Sequence, residues 1–308
     1  MYHTSYKINR KSKGYKKWLV IFPLVLALLA SCFLSNNLEP FYAKVKVPTA
    51  SGKKTYKTDT TIIDASNVSK GYVMLKYTGS NSKIKIQIKK KKTYTYNLNA
   101  RKKYETFPLT EGNGTYTIKV FENVTGNSYA QIMSQNISVK LTNSLQPFLY
   151  PNQFCNYTAN SKVVKKAASL TKNQKSDLKK VQTIYKYVRT NISYDYKKAK
   201  TVKSGYLPNP NTTLSTKKGI CFDYASLMTS MLRSQNIPTK LVIGYAGDVY
   251  HAWVSVYIKG KGWVDNIIYF NGKKWKYMDP TFASTGKNSK KTKQYISNSK
   301  NYSAKFVY

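Results

Sequence analysis

Histidine is nearly absent from this chain. Two occur in 308 residues, His3 and His251. A site built from several imidazoles is excluded, and proton transfer near neutral pH has few side chains to draw on. Cysteine is almost as scarce. Cys32, Cys155 and Cys221 are the full set, with no Cys-x-x-Cys pair, so the usual spacing of a structural zinc site is missing and no metal or other cofactor is expected. Acidic residues number 12 against 52 basic ones, a formal charge of +40. Arginine is rare even within that excess, with only Arg10, Arg101, Arg189 and Arg233. Lysine, a hydrated point charge, lacks the planar fork that reads bases. No nucleic-acid partner is expected. The charge suits a diffuse attraction to an anionic cell-wall polymer or a membrane surface.

What is present begins with an export pattern. Residues 1–17 carry Lys7, Arg10, Lys11, Lys13, Lys16 and Lys17 and no acid, and an apolar run from Trp18 to Leu29 follows, interrupted by Pro23. This is the charged and apolar layout of a secretory signal. It ends in Leu29-Ala30-Ser31-Cys32, which resembles the bacterial lipobox. That resemblance implies a signal peptide over 1–31, a lipid on Cys32 and a tether over 32–43. The alternative is an uncleaved anchor from Trp18 to Leu34, at the short limit for spanning a bilayer. Either way the remainder is expected outside, anchored to the extracytoplasmic face of the cell membrane. An oxidising location also permits a Cys155–Cys221 disulfide, which would disable Cys221.

Residues 44–141 read as short strands divided by turns. Lys83 to Lys89 alternates with isoleucine at 84, 86 and 88, and Tyr94 and Tyr96 continue the period in the next segment. Alternation of this kind marks half-buried strands, and their spacing suggests an antiparallel β-sandwich-like domain. No residue there looks catalytic. Residues 142–172, with Pro147 and Pro151, read as a linker.

Residues 173–308 carry the chemistry. A helix is expected with its start at Thr171 or at Ser176, and its apolar face at Leu178, Val181, Ile184, Tyr185 and Val188. A polar loop over 194–211 is long enough to line a cleft. Gly219-Ile220-Cys221 opens a second helix, closed by Asn236-Ile237-Pro238. Cys221 then sits in a first turn, where unpaired N–H groups and the helix dipole favour an anion and could hold an oxyanion. His251 starts a strand whose other face carries Ala252, Val254, Val256 and Ile258, and Trp253 is placed to shelter a Cys–His pair. The acid that would orient His251 is less plain. Asp223 is explained by capping its helix. Asp265 is too distant if the chain folds straight back as a hairpin. Asp279 reaches His251 only if Lys274–Asp279 runs beside His251–Ile258, with residues 259–272 as an excursion.

Taken together, Gly219 to Ala225, Met231 to Lys240, Gly244-Tyr245, His251-Ala252-Trp253 and Met278-Asp279-Pro280-Thr281 resemble the transglutaminase-like superfamily of papain-like cysteine enzymes. The resemblance implies an α+β fold over 173–308, with Cys221 as nucleophile, His251 as general acid/base and Asp279 as orienter. It implies acyl transfer, or amide or peptide hydrolysis, through a thioester. The oxyanion side chain should lie upstream of the cysteine, at Tyr206, Asn209 or Asn211. The expected partner is a protein or peptide substrate at the cell surface. The competing reading is a non-catalytic basic module that holds an anionic wall polymer or membrane.

Overall fold

A computed structural model describes residues 45–264 and 301–308, together with the backbone of two short strands at 269–270 and 275–276. The expected signal, lipobox and tether lie outside the described residues. Among the described residues no helix is long and apolar enough to cross a membrane.

Eight strands come first: β1 (Thr55–Lys57), β2 (Thr61–Asp64), β3 (Tyr72–Tyr77), β4 (Ile84–Lys89), β5 (Thr93–Asn97), β6 (Glu105–Pro108), β7 (Gly114–Thr125) and β8 (Ser128–Val139). They form two antiparallel sheets, ordered β1-β2-β3-β6 and β5-β4-β7-β8. The alternation fixes the register. Ile86 lies opposite Tyr96 on one side and Val120 on the other, and Ile88 lies opposite Tyr94 and Ile118. All six are buried and share one core with Ile63, Val73, Leu75 and Phe107 of the other sheet. A slip of one residue would turn that whole set to solvent.

Among the described residues five helices follow: α1 (Lys162–Thr171), α2 (Asp177–Asn191), α3 (Tyr196–Thr201), α4 (Pro210–Thr216) and α5 (Cys221–Ser234). Two two-residue strands, β9 (Ser193–Tyr194) and β10 (Lys218–Gly219), pair in parallel between them. Of the two starts open to α2, Ser176 is the one used: its hydroxyl accepts from the Lys179 N–H. Thr171 instead ends α1 and donates to the Ala167 carbonyl and to Gln235 Oε1. Helix α1 falls in the stretch read as a linker and packs on α5. The loop expected over 194–211 contains α3 and the start of α4.

The second sheet of this region is ordered β13-β12-β11-β16, from β11 (Thr239–Ala246), β12 (Val249–Ile258), β13 (Gly262–Val264) and β16 (Tyr302–Val307). Helix α5 is buried from Asp223 to Ser234, between α1, α2 and α4 and the β11–β12 pair. The result is α+β. One continuous core runs from the sandwich through Phe154, Tyr157 and Tyr308 into α5 and β12.

The chain after β12 departs from expectation. Val256, Tyr257 and Ile258 pair with Val264, Trp263 and Gly262 in an immediate hairpin. Residues 262–264 are thus a strand of this sheet, not part of an excursion. The cause is the tight Lys259-Gly260-Lys261 loop between Ile258 and its partner Gly262, with both glycines at positive φ. Strands β14 (Tyr269–Phe270) and β15 (Trp275–Lys276) form a separate ladder.

Gly244 lets β16 approach β11. A Cβ there would lie 2.0 Å from the Ser303 carbonyl oxygen, where the register shifts between Ile243 and Gly244. Gly244→Ala should force β16 outward at about 1–3 kcal/mol, the usual cost of overpacking. That corresponds to a melting temperature lower by roughly 2–4 °C per kcal/mol. An unchanged melt would contradict the close approach.

Candidate active site

Cys221 is half-buried at the first position of α5, and Ile220 before it is extended with ψ 177°. Two features set that start. The preceding chain is tied down, because β10 pairs with β9 and Asp195 N–H donates to the Gly219 carbonyl at 2.9 Å. Gly219 is also pressed against Asp223: a Cβ at 219 would meet the Asp223 Cβ at 2.5 Å. The small residue two places before the cysteine is therefore a packing requirement. Asp223 Oδ2 accepts from the Ile220 N–H at 2.9 Å, which is the capping expected of it. The first-turn N–H groups of Cys221 and Phe222 have no partner inside the helix.

His251 lies on β12 opposite Gly244 and is 5 % exposed. Trp253 is buried, its ring near parallel to the imidazole (centroids 6.3 Å, 23°) and edge-on to Tyr302 at 5.3 Å. Both faces of β12 are covered, so the alternation that put Ala252, Val254, Val256 and Ile258 on one side did not leave His251 in solvent.

Cys221 and His251 line one cavity of about 720 Å³. Tyr206 and Phe222 line it too, as do Tyr308 and, from the sandwich, Thr93, Thr95 and Asn97. Trp253 is not among its lining residues; it stands behind the imidazole. Asn209 and Asn211 are also elsewhere. Asn209 Oδ1 caps α4 by accepting from Asn211 and Thr212 N–H, and Asn211 Oδ1 accepts from the Val163 N–H. Their side-chain oxygens are engaged at helix ends, Asn209 at the start of α4 and Asn211 at the start of α1. Asp279 and Asp265 lie outside the described residues. Cys155 and Cys221 are both free thiols. Burial pushes the Cys155 thiol up, opposed by the nearby Arg233 charge.

The structure adds a network that the sequence did not disclose. Asp223, 1 % exposed, receives the Tyr206 hydroxyl on Oδ1 and the Lys198 ammonium on Oδ2, each at 2.6 Å. Lys198 also donates to the Tyr206 oxygen and lies 4.1 Å from its ring centroid. Burial, and then the bond to Asp223, raise the Tyr206 phenol, so it stays a neutral donor. That proton is committed to Asp223, so Tyr206 lines the cavity without a hydroxyl hydrogen to offer an oxyanion. Lys198 is aimed by α3, whose N-cap Asp195 accepts from the Lys198 N–H at 2.9 Å. Capping explained Asp223 alone, and partners 17 and 25 residues away gave no local signal.

Tyr250 was also missed. It is 56 % exposed, faces Tyr245 at 5.5 Å and lines the cavity mouth. Partial burial first, then the neighbouring Tyr245 and Cys221 groups, raise its phenol.

Residues 164–266 match the family model described as the transglutaminase-like superfamily. The chain carries a transglutaminase-like domain over these residues. It is similar to a UPF0252 protein of Methanocaldococcus jannaschii, 37% identical over 116 residues that make up 32% of this chain and 32% of that protein. It is also similar to the uncharacterized protein YebA of Bacillus subtilis, 24% identical over 178 residues, 51% of this chain and 24% of that protein. The matches thus span about a third and about a quarter of those relatives' lengths. Among solved structures it is similar to the periplasmic domain of TgpA from Pseudomonas aeruginosa, with a TM-score of 0.35 and 15% identity, covering 82% of this chain and 80% of that one.

Proposed function

We propose that the protein is a cysteine acyl-transfer enzyme with Cys221 as nucleophile and His251 as general acid/base. The observation that carries this reading is the meeting of the two side chains in one cavity, one from a helix first turn and one from a buried strand. The transglutaminase-like match over 164–266 supports it. The sulfur attacks a carboxamide or peptide carbonyl carbon as His251 takes the thiol proton. The oxyanion is met by the Cys221 and Phe222 N–H groups at the start of α5. His251 returns the proton to the leaving amine as the C–N bond breaks, leaving a thioester. Water or a second amine then cleaves the C–S bond, and the proton goes back to sulfur. Asp279, the acid that the resemblance implies, is the orienter in this reading; the pairing of 262–264 takes up only the Val256–Ile258 end of β12, so residues 274–279 would approach beside its His251 end. Lipid on Cys32 holds the enzyme on the outer face of the cell membrane.

The test is thiol alkylation. Iodoacetamide should modify Cys221 at least tenfold faster than Cys155 at pH 7–8, since Cys155 is buried and its thiol is raised. His251→Ala should cut the Cys221 rate severalfold and leave Cys155 alone. Equal, slow labelling of both thiols would defeat the reading.

A further inference from the structure

We infer that the cavity takes an acidic peptide in extended form, bound as an added strand on the free edge of β5. This deepens the acyl-transfer reading and rests on it only for what happens to the bound chain.

Strand β5 is the edge of its sheet, with β4 its one partner strand among the described residues. The direction of its backbone groups follows from one bond. Leu98 N–H donates to the Ile84 carbonyl at 3.0 Å, so residue 98 faces β4. In an antiparallel ladder the facing residues alternate, which turns Tyr96 and Tyr94 to β4 and Asn97, Thr95 and Thr93 outward. The Asn97 carbonyl, accordingly, accepts from the Gln153 and Asn99 side chains, at 3.2 and 2.7 Å. Among the described residues nothing pairs with the outward N–H and C=O groups of Thr95 and Thr93, and both residues line the cavity that holds Cys221 and His251. An exposed strand edge is a template for another extended chain, and proteins ordinarily block such edges. This one shares its cavity with the Cys221 thiol, and Tyr250 and Tyr206 add aromatic lining.

Charge selects the occupant. Among the described residues the cavity lining holds Lys203 and no acidic residue. Lys89, Lys90, Lys91 and Lys92 lead directly into β5, and Lys89, Lys91, Lys92 and Lys203 are exposed. A strand of alternating acidic residues would meet these lysines while its main chain pairs with Thr93 and Thr95.

The experiment uses the full chain as Cys221→Ala and a fluorescein-labelled nonapeptide of alternating Glu and Thr, read by anisotropy. N-methylation of the peptide amides at residues of one parity should weaken binding at least tenfold, and at the other parity less than twofold, because only alternate amides face an added strand. Thr95→Pro should weaken binding of the unmethylated peptide by a similar factor. Pro is tolerated at an outward edge position, and removes the N–H. Equal loss at both parities, or displacement by polyphosphate as effective as by unlabelled peptide, would reduce the surface to a cation patch and overturn the inference. Binding is read without Cys221, so failure here leaves the alkylation result standing, and failure of alkylation leaves this one standing.

Discussion

Arg233→Met should lower the melting temperature by roughly 6–12 °C, about 3 kcal/mol for a domain of this size. Arg233 is 0 % exposed. Its guanidinium donates to the main-chain carbonyls of Thr239, Tyr150 and Tyr308, at 2.8, 2.6 and 2.7 Å, and to the Cys155 sulfur at 3.3 Å. One rigid fork thus joins the junction after the sandwich, the start of β11 and the residue after β16. Two effects oppose each other on substitution. Removing a buried charge relieves its desolvation, which can stabilise. The three carbonyls, however, stay buried and lose a donor, at about 1–3 kcal/mol each. With three acceptors against one charge, the loss should win. Arg233→Lys should recover little, since an ammonium cannot span all three positions. Thermal melting checks the size, and a gain in Cys155 alkylation checks the place. A variant that melts like the parent would show that the guanidinium's desolvation cost equals its hydrogen bonds.

Asp223→Ala should be comparably severe for stability and should also slow Cys221 alkylation about tenfold. The carboxylate satisfies the Ile220 N–H, the Tyr206 hydroxyl and the Lys198 ammonium together. Alanine strands the first two in buried surroundings, while Lys198, with its side chain 29% exposed, finds some water. The expected cost is about 2–4 kcal/mol. Asp223→Asn keeps one acceptor for the Ile220 N–H and should lose about half as much. The alkylation rate separates a structural role from an effect on the site. If both variants destabilise the fold but label normally, Asp223 supports α5 without setting the position of Cys221.

Much of the site's frame was legible in the residues because it is local. Ile84, Ile86, Ile88, Tyr94 and Tyr96 declared their strands through a period of two, and the Gly219 to Pro238 stretch declared a helix with its ends. The order of Cys221 and His251 was enough to suggest that they meet in a cleft. What stayed hidden depends on distant partners. Asp223 looked like a cap, and it is one, but Lys198 and Tyr206 come to it from α3 and the loop after it. The polar residues upstream of Cys221 could not be ranked by type: Asn209 and Asn211 turned out to end helices, and Tyr206 to donate inward. The fold-back after Ile258 was misread because its loop is only Lys259 to Lys261 and closes on glycines at 260 and 262. Gly244 gave no warning, since the strand that presses on it lies far along the chain.

That late strand has a consequence for synthesis. The edge of β11 opposite His251's strand is filled by residues 302–307, and Tyr308 packs tilted against Phe154, ring centroids 4.2 Å apart, and lines the same hollow as the thiol. The strands of the sandwich can therefore pair before residues 302–308 are in place, yet the cleft gains this wall only once those residues dock along β11.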